Sequence, residues 1–107
     1  MHSTELTTAV QALEAHRRDN SSVTIADLFV GDPKRFDDFH IEPGDIFFDF
    51  SKHRISRQAL ALLIALARAA KVEERRADLF GGAIVNPTEK RPALHMALRN
   101  LSGAPMF

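Results

Sequence analysis

Apolar positions along this chain change period several times, and each change marks an element. From Ser3 to Arg18, Leu6, Val10 and Leu13 fall at i, i+4 and i+7 with Ala9 beside them, which predicts an amphipathic helix. Glu5 near its start and Arg17-Arg18 at its end suit the helix dipole. The polar run Asp19-Asn20-Ser21-Ser22 ends it. Thr24 followed three residues later by Asp27 is a capping pattern, so a short helix is expected over Ile25–Val30, closed by Gly31. Asp32 as cap and Pro33 at the first position open a further helical turn.

Phe39-His40-Ile41 and Ile46 to Phe50 flank Glu42-Pro43-Gly44-Asp45. Pro followed by Gly predicts a type II turn with Gly44 at the third position, hence a hairpin. Its second strand carries Ile46, Phe47 and Phe48 on both faces and expects cover on both. Ser56 caps the strongest helix, running to about Lys71, and Ile55 is placed to staple onto Leu60. Leu60, Leu62, Leu63, Ile64 and Leu66 surround nearly the whole cylinder, a pattern that implies burial all round. Val72 to Phe80 reads as a second, charged helix closed by Gly81-Gly82. Ile84-Val85 is extended, and Asn86-Pro87 turns into a last helix that starts at Thr88 or, as Pro92 suggests, later. The tail Ser102 to Phe107 reads as loop. The class predicted is α+β: mostly helical, about five helices, with one small β-hairpin.

Composition narrows the function. The 107 residues are 45% apolar and 26% charged, within the ordinary range for a single globular unit. Fourteen basic residues balance fourteen acidic ones, so no net field recruits nucleic acid or an anionic membrane. The absence of Cys excludes a disulfide framework, a thiolate metal site and a Cys nucleophile. Met1 to Leu6 has no apolar signal core, and the run Ala59 to Ala67 is too short to span a bilayer, which takes about 20 residues. A cytoplasmic location is expected.

Few residues offer chemistry. On one continuous helix, Arg91, His95 and Arg99 at i, i+4 and i+8 would share a face, as weak candidates for a phosphate or active-site-rim contact. Structural salt bridges buried in the fold are the commoner use of such a stripe, and Leu94, Met96, Ala97 and Leu98 read as core beside it. His2, His16, His40, His53 and His95 show no metal-ligand spacing, and no metal or cofactor is expected. Ser51 with His53 has no nucleophile context. Gly81-Gly82 lacks the Lys-Ser/Thr of a phosphate loop. Arg17-Arg18 and Arg75-Arg76 read as solvated faces.

Asn86-Pro87-Thr88-Glu89-Lys90-Arg91-Pro92-Ala93-Leu94-His95-Met96-Ala97-Leu98-Arg99-Asn100 resembles the Asn-x-Thr-Glu-x-Arg-x-x-Leu-His-x-Ala-Leu-Arg signature near the N-terminus of the glucose-6-phosphate isomerase family. Asp32-Pro33-Lys34-Arg35-Phe36 resembles that family's Asp-x-x-Arg-Phe segment, and Asp49-Phe50-Ser51-Lys52 its Asp-aromatic-Ser-Lys segment, followed by His53 where Asn or Gln is commoner. With the apolar helix after Ser56, four segments match in order; Pro87 and Pro92 depart from the family's usual residues, each removing a backbone donor. The resemblance implies an isolated N-terminal segment, with residues 1–22 a leading helix and turn and 23–107 the family-matching region, forming the outer part of a larger α/β isomerase. Family members are intramolecular oxidoreductases of glycolysis and gluconeogenesis that interconvert glucose 6-phosphate and fructose 6-phosphate through an enediol, without a metal. Their Glu proton carrier, the Lys and His of ring opening, the enediolate-binding Arg and the Ser/Thr-rich phosphate loop belong to motifs beyond Phe107. No catalytic residue is therefore assigned here, and the chain alone is expected to be inactive. Its expected partner is the remainder of such an isomerase or a second copy, with sugar phosphate bound only by the full-length protein. The alternative is a free-standing, non-catalytic interaction or regulatory domain derived from that region.

Overall fold

The computed structural model describes residues 3–106; Met1, His2 and Phe107, which end the N-terminal and tail readings above, lie outside the described residues. The helix α1 spans Thr4–Asp19, and the Ser3 hydroxyl accepts a hydrogen bond from the Leu6 N–H at 3.1 Å. Helix α2, Ile25–Val30, begins on a full capping box: Thr24 Oγ1 accepts from the Asp27 N–H at 3.1 Å, and Asp27 Oδ2 accepts from the Thr24 N–H at 2.9 Å. Asp32 caps a turn rather than a helix, its Oδ1 accepting from the Lys34 N–H at 3.1 Å, and α3 follows over Arg35–Asp38.

Strands β1 (His40–Ile41) and β2 (Phe48–Asp49) form the expected antiparallel hairpin, with His40 opposite Asp49 and Ile41 opposite Phe48. That register puts the midpoint of the loop between Gly44 and Asp45, so the turn lies one residue later than the sequence suggests. The Ile46 N–H donates to the Pro43 carbonyl at 3.2 Å, and Gly44 holds the first central position at φ +61°. Positive φ at that position is the II′ pattern, whose twist matches paired strands better than type II. Ile46 and Phe47 consequently belong to the loop, outside the second strand, and both are more than half exposed.

Helix α4, Arg57–Ala69, starts on Ser56, whose Oγ accepts from the Ala59 N–H at 3.0 Å. It ends two residues short of Lys71, which adopts a left-handed conformation at φ +58°. Helix α5, Val72–Phe80, follows and is closed by Gly81. The expected long signature helix is absent. Residues 87–90 form a turn closed by an antiparallel bridge, with the Asn86 N–H donating to the Arg91 carbonyl at 3.0 Å and the Arg91 N–H returning to Asn86 at 3.2 Å. Asn86 Oδ1 also accepts from the Glu89 N–H at 3.2 Å. Two prolines explain the departure: neither Pro87 nor Pro92 can donate, and Pro92 forces Arg91 out of the helical region. Only α6, His95–Leu98, remains helical. Mostly helical architecture with one small hairpin is thus observed, with six helices among the described residues, two of them a single turn.

Two compact units are formed, one ending at Leu66 and the other beginning at Ala67. In the first, the core is centred on Phe39, whose ring lies 5.4 Å from that of Phe50, with Ala59, Ser51 and Arg35 also buried. The surround of α4 is not complete: Leu63 and Ile64 are over two-fifths exposed, so the all-round apolar helix is covered on one side only. In the second unit none of the described residues falls in the buried class, and Leu94 and Leu98, read as core from sequence, are exposed. Among the described residues, no helix is long and apolar enough to cross a membrane.

Candidate functional site

The most tightly organised point in the first unit is the guanidinium of Arg35. Only 1% of this residue is exposed. Its Nε donates to the Ser51 carbonyl and its Nη2 to the His53 carbonyl, each at 2.8 Å. The charged group lies 4.5 Å from the Phe39 ring centroid and 5.5 Å from that of Phe29. A buried guanidinium is tolerated because its donors are used and aromatic faces replace part of its hydration. Burial pulls its pKa below the ordinary arginine value, and the negative charge of Asp32 works in the opposite direction. Chemically this is a fastener: Arg35 belongs to the Asp-x-x-Arg-Phe segment and its acceptors lie in and just after the Asp-aromatic-Ser-Lys segment. Two pieces of sequence 16 and 18 residues apart are thereby pinned together.

A second arginine, Arg57, closes the exposed side. Its Nε bonds Asp32 Oδ2 and its Nη2 bonds Asp38 Oδ2, both at 2.6 Å, and its guanidinium carbon lies 5.6 Å from the Phe39 centroid. The bond from Arg57 holds the Asp32 carboxyl below the ordinary carboxylate range, and the two carboxylates push Arg57 upward. Arg54 does for the α1–α2 loop what Arg35 does for the hairpin, its Nε donating to the Val23 carbonyl at 2.8 Å and its Nη2 to that of Ser21.

Beside these lies a cavity of about 540 Å³, with Leu13, Val23, Leu28, Ile55, Ala59 and Leu63 as its apolar wall. His16, Asn20 and Ser56 also line it and stand in a row that imitates a nucleophile, base and orienter: Ser56 Oγ is 3.1 Å from His16 Nε2, and Asn20 Nδ2 is 3.3 Å from His16 Nδ1. The hydrogen-bond pattern favours a different role. Asn20 Nδ2 donates to the His16 carbonyl at 2.9 Å, which fixes the amide orientation and presents a donor to Nδ1. With that donor facing Nδ1, the matching tautomer places the ring proton on Nε2, where it would donate to Ser56, whose oxygen already accepts from Ala59. A serine facing an imidazole N–H has no base. The row is a polar lock between α1 and the start of α4, and His16 is a residue that the sequence could not connect to Ser56 across 40 positions.

The predicted stripe is not assembled. Arg91 lies in the bridge with Asn86, His95 is the first residue of α6, and Arg99 is the residue that follows α6. Only His95 and Arg99 share a turn, through the Arg99 N–H to His95 carbonyl bond at 3.2 Å. All three are exposed, and among the described residues none of their side chains has a hydrogen bond or ion pair. Ser51 and His53 act through their carbonyls rather than as a nucleophile and its base. No group of three or more His, Asp or Glu side chains is gathered among the described residues as a metal ion would require.

Comparison with known proteins places these contacts in a family. It is 59% identical to glucose-6-phosphate isomerase of Beijerinckia indica over 107 residues and 55% identical to that of Methylocella silvestris over 106. It is 48% identical to glucose-6-phosphate isomerase 4 of Rhodococcus jostii over 93 residues. The three matches cover 100%, 99% and 87% of this chain, and 19%, 19% and 17% of those relatives. The match therefore spans about a fifth of the length of each relative. The Phosphoglucose isomerase family model matches residues 49–107, more than half of the sequence, beginning at the hairpin's second strand and including the signature segment. By that match, this chain belongs to the phosphoglucose isomerase family.

Proposed function

We propose that this chain supplies the N-terminal part of a cytoplasmic glucose-6-phosphate isomerase, acting in glycolysis and gluconeogenesis, and that it performs no isomerisation by itself. Isomerisation of a sugar phosphate needs a carboxylate within hydrogen-bond reach of the migrating proton and, beside it, an anchor for the phosphate. Among the described residues, the carboxylates with defined side-chain partners are already committed: Asp27 to a cap, Asp32 and Asp38 to Arg57, Asp49 to the Ser51 N–H, and Glu89 to its own turn. The buried cation, Arg35, is committed to two carbonyls.

The observation that carries this reading is the combination of family membership with apolar faces left open. Ile46, Phe47 and Phe48 on the hairpin and Leu63 and Ile64 on α4 are all at least two-fifths exposed. A free-standing interaction domain would be expected to carry polar residues at such positions; these remain apolar, as in a piece that is covered by further protein. Sugar phosphate is then a ligand of the complete isomerase, and the partner of this segment is the remainder of that fold.

Two measurements test the proposal. The purified chain, assayed for fructose 6-phosphate conversion through a coupled dehydrogenase in extract from an isomerase-deficient host, is expected to give background rates. Co-expression with a polypeptide carrying the remaining four-fifths of the Beijerinckia indica relative is expected to restore turnover. Enzyme-like rates from the chain alone would overturn the claim of inactivity. Failure of the paired polypeptides to co-purify would overturn the claim about the partner.

A further inference from the structure

The joint between α4 and α5 falls close to where the sequence pattern divides the two helices, yet the residues at it include no helix breaker. The segment Ala69-Ala70-Lys71-Val72-Glu73 contains neither Gly nor Pro, and Ala, Lys and Glu are strong helix formers. The helix nevertheless breaks there, with Lys71 at φ +58°, a region in which an L side chain crowds its own carbonyl. Lys71 offers α5 no side-chain cap. Among the described residues the N–H groups of Val72, Glu73 and Glu74 have no acceptor; the neighbouring bonds are Lys71 N–H to Arg68 at 3.0 Å and Arg75 N–H to Lys71 at 2.9 Å. Little packing holds α5 in place, since every residue from Lys71 to Asp78 is exposed and α5 buries none.

We propose that Ala70-Lys71 is a two-state joint: the chain exchanges between this broken form and one in which Arg57 to Phe80 runs as a single helix. In the continuous form Lys71 returns to the right-handed region. Val72, Glu73 and Glu74 would then donate to the carbonyls of Arg68, Ala69 and Ala70 in the ordinary i to i−4 pattern, and nothing in the intervening sequence resists it. This inference does not depend on the isomerase reading, because it rests on backbone geometry and exposure alone.

The test is nuclear magnetic resonance on the full chain, in native form and as Lys71→Gly and Lys71→Val. Glycine removes the penalty at positive φ and weakens the continuous helix, whereas a β-branched residue is strongly disfavoured there. The expected result is line broadening from exchange at Ala69 to Arg75 in the native chain. Amide protection at Val72, Glu73 and Glu74 should fall roughly tenfold in Lys71→Gly and rise by a similar factor in Lys71→Val. A Lys71 HN–Hα coupling fixed at the left-handed value, with those three amides unprotected in all three proteins, would overturn the proposal. So would protection that is present in the native chain but indifferent to both substitutions. Chemical shifts of the Phe39 and Phe50 rings report whether the first unit remains folded in each variant. If Lys71→Val is unfolded, the Lys71→Gly comparison alone decides.

Discussion

Replacing Arg35 with Met tests whether the buried guanidinium is the main fastener of the first unit. Met keeps the length and apolar volume of the stem and removes all five donors. Hydrogen bonds to a charged donor contribute about 1.5–3 kcal/mol each, but removing the charge also removes its desolvation cost, so the two cannot simply be summed. The remaining terms can be taken singly. The carbonyl of Ser51, a residue 1% exposed, loses its partner in a buried position, which costs roughly 1–3 kcal/mol. His53 is exposed, and water can replace the bond to its carbonyl at little cost. Loss of the guanidinium from the face of Phe39 removes about 0.5–2 kcal/mol more. A net destabilisation of about 3 kcal/mol follows, a large part of the roughly 5–15 kcal/mol available to a domain of this size. Thermal unfolding followed at 222 nm should shift downward by on the order of 15 °C, taking about 4–8 °C per kcal/mol for a small domain. Arg35→Lys is expected to fall between native and Met, because a single ammonium cannot fork to two carbonyls in the plane that Arg35 uses. A Met variant within about 1 kcal/mol of native in urea titration, or a Lys variant equal to native, would refute the reasoning.

Three further outcomes are expected. Ser56→Ala removes the cap of α4 and the acceptor of His16, and should cost about 1–2 kcal/mol in the same urea titration, whereas Ser56→Asp, an equally good cap, should lose less. The carboxyls of Asp27 and Asp32 are held below their ordinary value of 3.8, Asp27 by the Thr24 N–H and hydroxyl and Asp32 by Arg57. A depressed folded-state pKa means that the unfolded chain binds protons first, so this stability is present above about pH 4 and is lost as pH falls through the folded values. Urea midpoints between pH 6 and pH 2 should therefore decline, and Asp32→Asn should flatten part of that decline; a midpoint that rises on acidification would contradict the assignment. Arg91→Ala, His95→Ala and Arg99→Ala, all at exposed positions without side-chain partners among the described residues, should each leave its stability within about 0.5 kcal/mol of native. Loss of more than twice that would show that these side chains are structural within the isolated segment.

Elements governed by contacts three or four residues apart were legible in the sequence. Thr24 and Asp27 announced α2 to the residue, and Ser56 and Gly81 marked helix ends because caps are local chemistry, whereas Ser3, read as the first helical residue, is the cap. The hairpin was legible from Pro43-Gly44, but not its turn, because one residue of register decides whether Gly44 is the first or second central position. The signature segment was recognisable as a motif while its geometry was not. Two prolines outweighed the helical spacing of Arg91, His95 and Arg99, and the Asn86 side chain found a turn to cap. What was hidden is the set of long-range polar contacts: Arg35 with Ser51 and His53, Arg54 with Ser21 and Val23, and His16 with Ser56. Each joins groups distant in sequence, and most of their acceptors are main-chain carbonyls that carry no residue signature.

That last property sets up an asymmetry in mutational tolerance. Arg35 and Arg54 read their loops by gripping peptide oxygens at positions 21, 23, 51 and 53, and every amino acid supplies such an oxygen. Residue identity can thus drift at positions 21 and 53 without loosening the fold, Ser51 being constrained besides by its burial and Val23 by its place in the apolar wall of the cavity. The two arginines have no such latitude, so damage from random mutagenesis should concentrate on the hands and spare what they hold.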